Sequence, residues 1–281
     1  MTLKDSQQLA DLHSKKKNTP TMGGIIFLLP VIFLIKAGLY PELFLILSYF
    51  IIGLTDDILK LKSRSLGIRV RLWFEFLLVF FYLLYKLKIG ELHPVLQLSP
   101  SHHLHLSYYF YILFTSFIFV GLVNSFNITD GVDGLLGSLV IQILIMSLFT
   151  FSRFQIDYPV IRNIFFSLLG IVVSFLVFNF PPARIFMGNV GSITLATIVT
   201  ILYILYNLHL VVLFSCFILL VNTFSVIIQS FSFRVFQKRV FPIAPFHHTL
   251  EFKNFSPVKI ILIYFFGNLI VSLFFNILFF Q

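Results

Sequence analysis

The chain has 281 residues, of which 58% are hydrophobic and only 11% are charged. This composition excludes an ordinary soluble domain, because such a domain needs charged side chains over much more of its surface. The net charge of +9 could suggest nucleic-acid binding, but the membrane topology predicted below accounts for it, and we expect no nucleic-acid partner.

Apolar stretches of about 18–23 residues recur along the chain, long enough to cross a hydrocarbon layer of ~30 Å. They predict an all-α polytopic membrane protein with about nine transmembrane helices, in which residues 23–281 form one multi-span domain. The break between the seventh and eighth spans, near Leu208, is inferred from length, since the apolar stretch there suffices for two crossings. The predicted spans are Gly23–Tyr40, Glu42–Leu54, Leu72–Ile89, Tyr108–Ser125, Leu135–Ser152, Asn163–Phe180, Ile193–Asn207, Leu208–Phe231 and Lys259–Phe280.

The connecting segments predict which side of the membrane each motif faces. If the polar, basic segment 1–22 is cytoplasmic, alternation also places 55–71, 126–134, 181–192 and 232–258 inside. These segments and their flanks contain 15 of the 20 Lys and Arg residues. Since positive charge concentrates in cytoplasmic loops, we predict a multi-pass protein of the cytoplasmic (inner) membrane with this orientation.

The predicted outer loop, Glu91–Ser107, is rich in histidine and could suggest a metal site. It contains His93, His102, His103 and His105. Because no Cys accompanies them, we interpret the segment as a solvated loop.

Two polar motifs lie at the predicted cytoplasmic ends of the first two spans. Lys15–Gly24 combines three lysines with Pro20 and a Gly pair, which suits close approach to a ligand; taken alone, the motif favours a basic anchor at anionic lipid headgroups. Asp56 and Asp57 are adjacent carboxylates at the edge of hydrocarbon and need a nearby cation. Bound Mg²⁺ could supply it, and so could the basic residues that follow.

The third motif, Asn124–Gly134, contains two carboxylates and two carboxamides within a short loop and no Lys or Arg. It is similar to an EF-hand fragment only superficially, since the downstream Glu is missing. A tight interhelical turn is the alternative, but the uncompensated charge favours a bound cation or a donor-rich ligand.

The fourth and fifth motifs are the predicted loops Asn179–Ser192 and Phe241–Glu251. In the fourth, glycines bracket Asn189 near a helix start, an arrangement that could present backbone N–H groups to a phosphate. In the fifth, His247 and His248 could donate to phosphate or ribose oxygens, or simply belong to a polar loop. All five motifs are predicted on one membrane face.

At these residues the sequence resembles the phospho-N-acetylmuramoyl-pentapeptide transferase family, within the polyprenyl-phosphate N-acetylhexosamine-1-phosphate transferase superfamily. The resemblance covers nearly the whole chain. The segments that carry it, in the family's order, are Thr19–Gly24, Asp56-Asp57, Asn124–Gly134, Asn179–Ser192 and Ala244–Glu251.

The resemblance implies an Mg²⁺-dependent enzyme that transfers phospho-N-acetylmuramoyl-pentapeptide from its UDP donor to undecaprenyl phosphate and releases UMP, with membrane lipid and a second copy of the chain as further partners. The implied catalytic residues are Asp56, Asp57, Asp130, Asp133, His247 and His248. The implied substrate-binding residues are Lys16, Thr21, Arg71, Asn127, Phe186 and Gly188. The implied metal ligands are Asp57, Asp130 and Asn189.

The sequence departs from the family pattern at several positions. Asn189 stands where the family has the Asp that is its principal Mg²⁺ ligand, and Thr249 replaces a third consecutive His. Trp73 aligns with a family Lys whose place Arg71 could take, and Asn18 replaces a Gly. The family's first span has no counterpart, which a start site placed too far downstream would explain.

These departures leave two alternatives beside the implied enzyme. One is a related transferase that uses another UDP-hexosamine, and the other is a catalytically weakened or silent homologue. A transporter is disfavoured, because its carboxylates should lie in the middle of the spans.

Overall fold

The computed structural model describes residues 19–156 and 159–279, so Lys16 and Asn18 lie outside the described residues. Within them, a 3₁₀ helix over Gly23–Val31 precedes eleven α-helices and two short strands. The elements are α1 (Ile32–Lys36), α2 (Tyr40–Leu61), α3 (Ile68–Lys88), β1 (Val95–Gln97), β2 (His103–His105), α4 (Tyr108–Thr129), α5 (Leu135–Arg153), α6 (Pro159–Asn179), α7 (Gly188–Ile204), α8 (His209–Ser215), α9 (Phe217–Phe236), α10 (Phe246–Phe252) and α11 (Pro257–Phe279).

The prediction of an all-α polytopic membrane protein is confirmed. Within the described part of the chain, α4, α5, α6, α9 and α11 are each long and apolar enough to cross a membrane. Large apolar side chains cover the outside of the bundle, with Phe44 and Ile270 both 67% exposed. Such a surface is stable when lipid, rather than water, surrounds it.

Each predicted span has a helical counterpart, but several boundaries differ. The second span is longer than predicted, since α2 continues to Leu61 and includes Asp56 and Asp57, whose carboxylates accept the backbone N–H groups of Leu66 and Val190. The first span is divided into the 3₁₀ helix and α1. The predicted break near Leu208 is confirmed by a turn at Asn207, and a further break at Cys216 separates α8 from α9.

The histidine-rich segment between α3 and α4 forms a small hairpin rather than an irregular loop. Strands β1 and β2 pair antiparallel, with Leu96 opposite Leu104. His103 and His105 are exposed, and their rings contact each other at 4.9 Å between centroids. No group of three His, Cys, Asp or Glu that could hold a metal ion occurs in the described ranges, here or elsewhere.

Helix α7 is the centre of the bundle and positions the site. Every residue from Val190 to Ile204 is buried, and the helix packs against α2, α4 and the 3₁₀ helix. Small residues allow this close approach, as is common between membrane helices. A Cβ at Gly24 would overlap the backbone of Gly191, and one at Gly53 would lie 2.7 Å from the Asn189 carbonyl oxygen. The 3₁₀ helix and α2 therefore meet the beginning of α7.

Candidate active site

Asp57 joins α2 to the beginning of α7. Its Oδ1 accepts the backbone N–H of Asn189 at 3.0 Å, and its Oδ2 accepts that of Val190 at 2.9 Å. The first N–H groups of a helix lack intrahelical partners, and a carboxylate there satisfies them and complements the helix dipole. The sequence suggested that this loop could present backbone N–H groups to a phosphate, but the Asp57 carboxylate already accepts those of Asn189 and Val190.

Asp56 is buried beside Asp57 and is surrounded by donors. Its Oδ1 accepts the backbone N–H of Leu66 at 3.0 Å. Its Oδ2 lies 3.2 Å from Lys60 Nζ and 3.8 Å from Arg71 Nη1, and it accepts a hydrogen bond from Asn189 Nδ2. Two cations and one carboxamide thus surround this carboxylate, and both cations belong to the basic residues that follow the acidic pair in the sequence.

Asn189 links the acidic pair to the third motif. Its Oδ1 accepts a hydrogen bond of 3.0 Å from Asn127 Nδ2, which also donates to Ser192 Oγ at 2.9 Å. Asn127 lies on α4, which continues to Thr129, beyond the predicted end of this span at Ser125. The carboxamides of Asn127 and Asn189 and the carboxylate of Asp56 therefore form one hydrogen-bonded row.

The segment Thr19–Gly24 pairs with the backbone just before α7. Gly23 N–H donates to the Phe186 carbonyl at 2.9 Å, Gly24 N–H to the Met187 carbonyl at 3.1 Å, and Phe186 N–H to the Pro20 carbonyl at 2.8 Å. Phe186 is half-buried, and Thr21 is exposed at the same end of the bundle.

Gly188 has a φ of 72°, a conformation that favours glycine. A Cβ there would lie 2.5 Å from Asp57 Oδ2 and 3.1 Å from Thr21 Oγ1. The structure thus brings together Thr21, Asp57, Phe186 and Gly188, as the sequence predicted.

The histidine motif packs against the loop that follows α4. His247 is fully buried on α10, and a Cβ at Gly131 would lie 2.5 Å from its Nε2. The neighbouring His248 lies with its Nδ1 2.5 Å from Glu251 Oε2. Asn222 ties the two segments together, because its Oδ1 accepts the His247 N–H at 3.3 Å and its Nδ2 donates to Thr129 Oγ1 at 3.1 Å.

The two acidic residues of the third motif lie at different places. Asp130 follows α4 directly and is half-buried next to Gly131. Asp133 accepts the backbone N–H of Ala183 at 3.1 Å through Oδ2, which ties this loop to the one before α7. Since no three His, Cys, Asp or Glu of the described residues form a metal-binding group, Asp130 does not join Asp56 and Asp57 in one.

The side-chain oxygens around Asn189 would suit a hard cation such as Mg²⁺, with substrate oxygens completing its coordination sphere. Asp56, Asp57, Asn127 and Asn189 carry carboxylate and carboxamide oxygens, which suit Mg²⁺, an ion that proteins hold by one or two carboxylates plus phosphate groups. The carboxamide of Asn189 brings an oxygen but no charge, so the affinity should be lower than with an Asp at this position.

Lys60, which contacts Asp56, is one of the basic residues that follow the acidic pair in the sequence and could supply its cation. Sequence reasoning missed Asn222, whose Oδ1 accepts the N–H of His247. It also missed Glu75, which contacts Arg71, whereas Asn124, which accepts a hydrogen bond from Arg71, begins the third motif. For Glu75 a signal existed, since it is a single carboxylate in an apolar stretch, four residues after Arg71, the spacing of a helical ion pair.

A multi-pass helical bundle with a row of carboxylates and carboxamides at one end defines an integral membrane protein built around a polar site. A family model described as glycosyl transferase family 4 matches residues 41–207, and one described as phospho-N-acetylmuramoyl-pentapeptide-transferase signature 1 matches residues 16–28.

Similar proteins agree with these matches. Phospho-N-acetylmuramoyl-pentapeptide-transferases of Petrotoga mobilis and Fervidobacterium nodosum are 36% and 37% identical to the chain, over 94% and 96% of it and 85% and 86% of their own lengths. That of Geobacillus thermodenitrificans is 32% identical, over 89% of the chain and 80% of its own length. The chain belongs to the phospho-N-acetylmuramoyl-pentapeptide-transferase family.

Proposed function

We propose that the protein transfers phospho-N-acetylmuramoyl-pentapeptide from its UDP donor to undecaprenyl phosphate, the first membrane step of peptidoglycan synthesis. Its family relationship supports this reaction class, and the row of Asp56, Asn189 and Asn127 supports the location of the chemistry. The observation that carries the proposal is that the acidic pair, the glycine-rich loop before α7 and the histidine helix meet at one end of the bundle.

In the proposed reaction, an oxygen of the lipid phosphate attacks the sugar-side phosphorus of the UDP donor. The phosphorus–oxygen bond to UMP breaks as the new diphosphate bond forms. A phosphate monoester with a second pKa of about 6 is mostly dianionic at neutral pH, so positioning and charge neutralisation matter more than strong base catalysis. Bound Mg²⁺ would neutralise charge on the donor diphosphate.

The residues present can hold the lipid phosphate beside Asp56. Lys60 and Arg71 both lie within 4 Å of the Asp56 carboxylate, so a phosphate entering there would meet two cations. Asp56 would orient the attacking oxygen or accept its remaining proton. An apolar groove of about 400 Å³ between α3 and α4 would carry the first isoprene units, since its lining includes Leu72, the neighbour of Arg71 in the sequence. The groove is lined by Arg69, Leu72, Trp73, Phe76, Phe117, Val120 and Gly121.

The donor would occupy the other side of the row. Phe186, half-buried before α7, would stack on uracil, and Thr21 and Gly188 would border the diphosphate. Lys16 is proposed to contact the diphosphate or the uridine. His247 and His248, with Asp130 and Asp133, would line the sugar and peptide end of the cleft.

The test measures UMP release and lipid product from purified protein, UDP-N-acetylmuramoyl-pentapeptide and undecaprenyl phosphate, with Mg²⁺ or EDTA. Asp56→Asn is the matched control, since it keeps size and removes charge. Product that requires both substrates and Mg²⁺ supports the proposal. Transfer only from UDP-N-acetylglucosamine would instead identify the related hexosamine transferase, and no transfer from either donor would identify a silent homologue.

We also propose that the site faces the cytoplasm. Cys216 is the single cysteine and is buried, so its replacement by Ala gives a background for labelling. In that background, Lys62→Cys lies at the site end and Ser101→Cys in the hairpin segment, and both positions are exposed. In intact cells an impermeant maleimide should label Ser101→Cys and spare Lys62→Cys; the opposite pattern would refute the orientation.

A further inference from the structure

Glu75 is a fully buried carboxylate on α3 that the reaction proposed above does not use. A charged side chain inside a membrane protein is costly unless it is paired, so it usually has a role. Its carboxylate contacts Asn124 on α4 and Arg71 on α3, and Arg71 in turn lies beside Asp56.

Two partners hold the Glu75 carboxylate. Asn124 Nδ2 on α4 donates a hydrogen bond to Oε2 at 2.6 Å, and Arg71 Nε forms an ion pair with Oε1 at 3.5 Å in which neither atom makes a hydrogen bond. Asn124 also contacts Arg71 directly, because its Oδ1 accepts a hydrogen bond of 2.8 Å from Arg71 Nη2, so Glu75, Asn124 and Arg71 all contact one another. The backbone at Glu75 is itself fixed, since its carbonyl accepts the Tyr49 hydroxyl at 2.6 Å.

The consequence is a fixed orientation of the Arg71 guanidinium. Its Nε and Nη2 face Glu75 and Asn124, and only Nη1 points toward Asp56, at 3.8 Å from Oδ2. This distance is too long for a good hydrogen bond, so the contact with Asp56 stays incomplete. A guanidinium released from Glu75 could instead form a bidentate pair with Asp56, the geometry that Arg and carboxylates prefer.

We propose that Glu75 is a positioning residue that keeps Arg71 away from a closed pair with Asp56, so that Nη1 remains available to the phosphate of the polyprenyl substrate. This inference rests on the proposed function, because it assigns Arg71 to the lipid phosphate and not to the nucleotide donor. Asn124 shares the task by fixing both partners.

The experiment compares Glu75→Gln with the parent in purified protein, varying undecaprenyl phosphate and the UDP donor in turn. Loss of the charge-assisted contact between Arg71 Nη1 and the phosphate should raise the KM for the lipid phosphate about tenfold. The KM for the donor should stay within about twofold. Lysine has no planar guanidinium for Glu75 to orient. In an Arg71→Lys background, adding Glu75→Gln should therefore change the lipid KM less than about twofold.

Glu42→Gln is a matched control for general destabilisation. Glu42 is as buried as Glu75 and lies at the end of α2 opposite to Asp56, where its carboxylate pairs with Lys86 Nζ at 3.0 Å. It should alter thermal stability but not the lipid KM. Equal changes in both KM values, additive effects of Glu75→Gln and Arg71→Lys, or the same lipid KM change in Glu42→Gln would overturn the inference.

A second measurement separates this inference from the proposed function. Trp73 is the single tryptophan and lines the groove between α3 and α4, so its fluorescence reports lipid binding without catalysis. Polyprenyl phosphate should bind the parent about tenfold more tightly than Glu75→Gln. If the parent releases no UMP but shows this difference, the proposed reaction fails and the positioning role stands; equal binding in an active enzyme overturns the positioning role alone.

Discussion

Replacing Asn189 by Asp tests how the site balances its charge. In the protein, Asn189 Nδ2 donates to Asp56, and its Oδ1 accepts from Asn127 at 3.0 Å. The variant replaces the Nδ2 group, which donates to Asp56, by a carboxylate oxygen next to the Asp56 carboxylate. Two unit charges about 4 Å apart repel by about 4 kcal/mol at an effective dielectric constant of about 20. Lys60 and Arg71 offset part of this repulsion, so we expect a loss of about 2 kcal/mol without a divalent cation.

The expected result depends on Mg²⁺. In EDTA, Asn189→Asp should unfold about 5 °C below the parent, from a shift of about 2–4 °C per kcal/mol for chains of this size. With Mg²⁺ the second carboxylate becomes a ligand, so stability should recover and transfer to polyprenyl phosphate should be preserved or raised. Thermal unfolding along a Mg²⁺ titration and UMP release measure both effects.

Asn179→Asp is the control for losing a buried carboxamide. Asn179 Nδ2 donates to the Ile185 carbonyl at 2.8 Å, away from the acidic pair, so its replacement should destabilise the protein to the same extent with and without Mg²⁺. If the parent transfers well and Asn189→Asp abolishes transfer, Asn189 is not part of a metal site. Equal stabilisation of Asn189→Asp and Asn179→Asp by Mg²⁺ would also refute that role.

Three further predictions concern single contacts. Asp56→Asn should lower turnover at least about tenfold, within the range for positioned acid–base groups, as measured by UMP release. Gly24→Ala should lower the melting temperature and activity together, because its Cβ would overlap the α7 backbone, whereas Gly170→Ala has open space and should not. Phe186→Leu should raise the donor KM about tenfold through lost stacking on uracil, and Phe178→Leu, at an exposed position, should not.

Each of these predictions has an outcome that contradicts it. Unchanged turnover in Asp56→Asn removes this carboxylate from the mechanism. Equal melting temperatures for the Gly24 and Gly170 variants would show that the contact with α7 is not tight. A donor KM that is the same in Phe186→Leu and the parent would place the uracil elsewhere.

Much of the candidate site was predictable from the sequence, because its parts are local. The Asp56-Asp57 pair, the Asn124–Gly134 motif and the His247-His248 pair are short motifs, and the count of apolar stretches placed all of them on one face. The structure confirms that these motifs meet at one end of the bundle. Their roles in binding and catalysis stay predictions.

The contacts between helices were not predictable, since they depend on long-range packing. Asp57 was expected near a metal and in fact also accepts the first N–H groups of α7, more than a hundred residues later. Glu75 carries no motif, and its relation to Arg71 and Asn124 exists only because α3 packs against α4.

The sequence by itself determined that lipid surrounds this protein and in what order its polar motifs follow the apolar spans, because hydropathy and chain length set how many times a helix can cross. Only the tertiary structure decided which donor satisfies each buried carboxylate. That choice depends on distances of a few ångströms between α2, α3, α4 and α7, which glycine contacts such as that of Gly24 with Gly191 bring into close packing.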